Sequence, residues 1–93
     1  MSDLDQEIRR GINAKQLLDN ELMQEAKQHM EAEFWRLFKE LKPSDVEGLQ
    51  FVKQMQYIHA KYQAFMAKAV TDGKMAELQV ESRKKSLRQR VFG

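Results

Sequence analysis

Phe51, Met55, Ile58, Tyr62, Phe65 and Ala69 recur at spacings of 4, 3, 4, 3 and 4, in a segment without internal glycine or proline. At roughly 100° of turn per residue, that rhythm lines the side chains along one side of a helix. A stripe of this kind needs a covering surface. The spacing therefore predicts a helical packing protein, and it points to no particular chemistry.

The chain has 93 residues, enough for one domain and a thin core. A domain of this size buries only about 60–65% of the surface that its unfolded chain exposes. Self-association would help it considerably. There is no cysteine, which excludes disulfides, thiolate nucleophiles and thiolate metal sites, and suits a reducing compartment. No run approaches the roughly 20 apolar residues that span a bilayer. The opening MSDLDQEIRR is acidic first and lacks an apolar signal core, so no signal peptide is expected.

The rest of the chain reads as helices separated by two breaks. Leu4, Ile8, Ile12 and Leu18 give a short N-terminal helix, weakened at Gly11 by about 1 kcal/mol relative to alanine. Asp19-Asn20 can cap and restart a helix, which predicts a bend there and a mobile first segment over residues 1–18; one continuous helix to about residue 41 is the alternative. Leu22, Ala26, Met30, Phe34, Leu37 and Leu41 form the next stripe, broadened by Phe38, with Trp35 at its edge. A large aromatic in that place can seal a hairpin edge or face another subunit.

Proline disfavours helical geometry at the preceding residue, so Lys42-Pro43 ends this helix. Ser44 with Glu47 fits a capping box for the next one, and Gly48 permits a close approach near the turn. Thr71-Asp72-Gly73 reads as its stop, with Gly73 suited to left-handed geometry. The predicted fold is all-α, a single domain over residues 1–93. Residues 21–71 form an antiparallel helical hairpin, flanked by the short N-terminal helix and a basic C-terminal helix or tail over 74–93, which could dock on the hairpin, continue its second helix or order on a partner, with Phe92 as an apolar anchor.

Candidate chemistry is sparse. His29 and His59 stand at comparable levels on the two long helices and could meet, with Glu25 or Glu33 completing a metal site. Their sequence context contains no HExxH motif and no cysteine set, so core-edge histidines are the favoured reading. The glutamates suit local charge pairs on helix surfaces. Neither a phosphate-binding GxxxxGK[ST] loop nor a nucleophile elbow is present. The expectation is a protein that is not an enzyme and holds no cofactor or metal.

Charge is unevenly spread. Residues 1–42 carry 7 basic and 9 acidic side chains, residues 43–73 carry 3 of each, and residues 74–93 carry 6 basic and 2 acidic. Arg83, Lys84, Lys85, Arg88 and Arg90 make the tail a broad basic face for an acidic protein surface, or for the phosphates of DNA or RNA. The sequence FWRLF at residues 34–38 looks amphipathic in isolation, but its apolar side is expected to pack on the next helix, which argues against a membrane.

Residues 14–74 also carry a broader pattern: AKQLLDN, an aromatic-rich helix, a short loop, and a second apolar helix closing in TDGK. This resembles small helical proteins encoded in the structural-gene regions of tailed bacteriophages. The resemblance implies a virion component, assembly factor or packaging accessory, found in the host cytoplasm or the virion. It implies no catalytic residues, and the basic end falls outside it. The expected function is structural or assembly work through helical protein–protein packing, with self-association or another virion protein as partner. Trp35, Phe38, Phe51, Met55, Tyr62 and Met66 are the expected interface residues. A nucleic-acid-binding accessory acting through the basic tail is the alternative.

Overall fold

The structure, a computed structural model, describes residues 3–92, except the side chain of Phe92. The anchor role expected of Phe92 therefore lies outside the described residues. All regular structure among them is helical: α1 (Asp3–Asp19), α2 (Glu21–Glu40) and α3 (Val46–Phe92).

The breaks follow from local chemistry. Asn20 is extended, with φ −65° and ψ 128°, and its side-chain oxygen accepts from the Met23 N–H at 3.0 Å. That satisfies one orphan donor of the new helix, so α1 and α2 are separate elements. At the other end Leu41 is extended, while its N–H still donates to the Leu37 carbonyl at 3.1 Å. Pro43 follows two residues later.

The cap of α3 differs from expectation. Asp45 holds the position assigned to Ser44: its Oδ1 accepts from the Gly48 N–H at 2.9 Å. Val46 opens the helix, so Asp45 is the residue whose side chain faces the free N–H groups. Space at Gly48 is taken by side chains, since an added Cβ would lie 2.6 Å from Leu41 Cδ2 and 2.8 Å from Asp45 Oδ2.

The stop at Gly73 is also corrected. α3 runs through Thr71-Asp72-Gly73 without interruption, and no glycine among the described residues has a positive φ. Lys68 Nζ bonds Asp72 Oδ2 at 2.8 Å, and the Thr71 hydroxyl donates to the Ala67 carbonyl at 3.2 Å. Both residues thus work along the helix surface and do not end it.

Contacts divide the chain into two compact units. One is Leu17–Phe65, and the other brings the chain before Leu17 together with the chain after Phe65. In the first, Phe34 of α2 and Val52 of α3 are buried, and the Phe34 ring meets His59 edge-on at 5.6 Å. In the second, Gly11 and Ala14 of α1 are buried, as are Met66, Ala69, Gly73 and Ala76 of α3.

The inward line of α3 is not the large-residue stripe of the sequence. Phe51, Ile58, Tyr62 and Phe65 are all exposed, Met55 is half-buried, and only Ala69 of that series is buried. Val52 and His59 in the first unit, and Met66, Gly73 and Val80 in the second, are buried or half-buried and stand seven residues apart within each. One residue is about 100° of helix, so Phe51 and Ile58 stand to the side of this line. Within each unit, a seven-residue spacing is that of a helix packed along a seam.

Candidate functional site

Trp35 and Phe38 lie three residues apart on α2, hence on one side of it. Their rings stack, with centroids 5.8 Å apart and planes 15° apart. Both remain largely outside the core, at 57% and 49% exposure. Lys39 Nζ sits 5.3 Å from the Trp35 ring centroid, a cation–π contact that neutral apolar packing alone would not provide.

A hollow lies at each ring. The first, of about 260 Å³, is bordered by Glu31, Phe34, Trp35, Gln56 and His59. The second, of about 410 Å³, is bordered by Phe38 together with Val46, Leu49, Val52, Lys53 and Gln56. Gln56 belongs to both, so the two hollows form one face between α2 and the first part of α3. Val46 adds a further exposed apolar side chain at 60%.

The electrostatics of this face are mixed. His59 Nε2 is 2.8 Å from Gln63 Nε2 and 3.8 Å from Glu31 Oε1. On the outer surface of α2, Arg36 is clamped by Glu33 and Glu40, with both Glu40 oxygens at 2.9 Å and a bidentate contact to Glu33. These hydrogen bonds hold the Glu33 carboxyl below the ordinary glutamate range and push the Arg36 guanidinium up. Spacings of three and four on a helix bring such partners together. The hollows themselves are bordered by the charged residues Glu31 and Lys53, and the Glu33–Arg36–Glu40 set borders neither.

The expected interface residues do not fall together. Trp35 and Phe38 make the stacked pair; Phe51 and Tyr62 are exposed on the other flank of the Val52–His59 line; Met55 is half-buried and Met66 is buried. The expected meeting of the two histidines is replaced by contacts of His59 with Phe34, Gln63 and Glu31, while His29 is exposed. Among the described residues no group of three His, Cys, Asp or Glu could hold a metal ion. Sequence reasoning missed Val46, Leu49 and Gln56 as walls of the hollows. Their nearness to Phe38 and Trp35 across the Pro43 turn was the available signal.

Arg83, Lys84, Lys85, Arg88 and Arg90 are all exposed on the last turns of α3. None of the five has an ion pair with another described residue. No helix among the described residues is long and apolar enough to cross a membrane. Compared with protein-family models, with curated proteins and with solved structures, the chain finds no match.

Proposed function

We propose that this chain is a non-enzymatic structural or assembly protein that self-associates through the Trp35–Phe38 face. In this reading Leu17–Phe65 acts as an antiparallel helical hairpin, and the stacked rings are its contact. The observation that carries the proposal is that projecting rings and open hollows share one face. A two-fold interface must be complementary to itself, because each copy presents the same patch. Rings that enter the partner's hollows meet that requirement. The likeness of residues 14–74 to small phage helical proteins supports a virion or assembly setting for the contact.

Native mass measured across a concentration series tests this reading. The wild-type chain is expected to form dimers or larger assemblies. Trp35→Ala and Phe38→Ala should each weaken association by about 30-fold or more, as truncation of a central aromatic anchor does, with helix content unchanged. A wild-type chain that stays monomeric at every concentration, or an assembly indifferent to both changes, would refute it.

A further inference from the structure

The seven-residue line of α3 does not stop where its cover stops. In the unit that joins the chain before Leu17 to the chain after Phe65, Met66, Gly73 and Val80 are buried or half-buried, and the next member, Leu87, is 59% exposed. A companion line behaves the same way: Ala69 and Ala76 are 7% and 1% exposed, yet Arg83 and Arg90 continue it in the open. Every residue from Glu81 to Val91 is exposed, with Val91 at 71%. Residues 82–92 carry five basic side chains and no acidic one. This is a packing seam in unbroken register, uncovered over its last turns, in which arginines take the positions that alanines hold further back.

We infer that Arg83–Val91 is a docking site for an acidic amphipathic helix of another protein, laid along this seam. Continuity with the α1-covered part of α3 makes the occupant a helix. Leu87 and Val91 are the apolar contacts it would cover, whereas a purely electrostatic partner would not use them. Arg83 and Arg90 stand four residues before and three after Leu87, on the same side of the helix, so carboxylates on the partner helix would pair with them around the Leu87 contact. A second copy of the same segment would place like charges together and is disfavoured. Phosphate contacts by nucleic acid would use the five cations but leave Leu87 idle. The inference goes beyond the Trp35 face and concerns the other compact unit, so the two succeed or fail separately.

The test uses the full-length chain and a synthetic probe: a helical peptide with leucine along its seam and glutamate on both flanks. A scrambled peptide of the same composition, a short DNA duplex and anionic phosphatidylglycerol vesicles are titrated in parallel. The seam peptide should bind at least roughly tenfold more tightly than its scramble, and Trp35→Ala should leave that binding intact. Leu87→Ser, at an exposed position that the fold does not need, should weaken it about tenfold. The pair Arg83→Glu and Arg90→Glu should abolish it. Equal binding of seam and scrambled peptides, or indifference to Leu87→Ser, overturns the inference. So does a marked preference for the duplex or the vesicles.

Discussion

A β-carbon placed on Gly11 would lie 2.8 Å from the Cα of Gly73, and one placed on Gly73 would lie 2.8 Å from the Cα of Gly11. The two helix backbones touch where neither has a side chain. The neighbouring atoms are also backbone, with the Ala69 carbonyl oxygen 3.0 Å from the first position and the Glu7 oxygen 3.1 Å from the second. Nothing flexible can yield at this crossing. Helix propensity alone would make alanine at either site better by about 1 kcal/mol. The close contact reverses that sign: Gly11→Ala and Gly73→Ala should each destabilise by about 1–3 kcal/mol, as overpacking does. Urea unfolding of the single variants checks this. Stabilisation by either substitution would show that the helices separate there without cost.

Phe34 and Phe51 provide a second contrast, since they are the same residue type with opposite placement. Phe34 is 7% exposed against His59, while Phe51 is 58% exposed. Phe34→Ala should cost about 3–5 kcal/mol through lost burial and a residual cavity. Phe51→Ser should stay within about 0.5 kcal/mol, the usual range for surface changes. Chemical denaturation of both variants at a concentration where the chain is monomeric separates these outcomes.

These two contrasts also show what was legible in the sequence. The breaks at Asn20 and Pro43 were readable because capping and proline geometry are local. The inward face of α3 was not. Its large residues drew attention to Phe51 and Ile58, while the inward line holds His59, Gly73 and flanking alanines. Small residues bury little area but let backbones approach, so their importance depends on a partner that the local pattern does not reveal. Gly11 read alone is a weak point in a helix, and Gly73 read alone is a helix stop. Only their contact shows that each is there for the other. At the candidate site, Trp35 was readable as an edge aromatic, but the hollows needed the positions of Gln56 and Val46 across the turn.

Asp45 and Ser44 give a third expected difference. Asp45 accepts from the Gly48 N–H, and Gly48 is three residues on. Asp45→Ala should therefore cost about 1 kcal/mol, the typical worth of an N-cap. Ser44→Ala should cost less, because the hydroxyl is not the group that closes the helix start. Asn20→Ala should resemble Asp45→Ala, since Asn20 accepts from Met23 in the same way. Thermal unfolding of the three variants ranks them. A larger loss at Ser44 than at Asp45 would return the capping role to the serine.

The Glu33–Arg36–Glu40 clamp makes a pH-dependent contribution whose sign is set by its geometry. Hydrogen bonds from Arg36 are the main cause of the lowered Glu33 pKa, with Coulomb attraction to Arg36 adding to them. A carboxyl whose folded pKa lies below its unfolded value contributes stability that is fully present above the unfolded value. That contribution fades as pH falls through the folded one. The Glu33 side chain is 43% exposed, so solvent and salt screen the contribution and keep it small. The titration itself is the sharper readout. Carbon-detected NMR of the Glu33 carboxyl should give a midpoint below that of an ordinary glutamate, and Arg36→Met should move it back into the ordinary range. The shift should also shrink in high salt. A Glu33 midpoint that ignores the loss of Arg36 would mean that the clamp does not hold in solution.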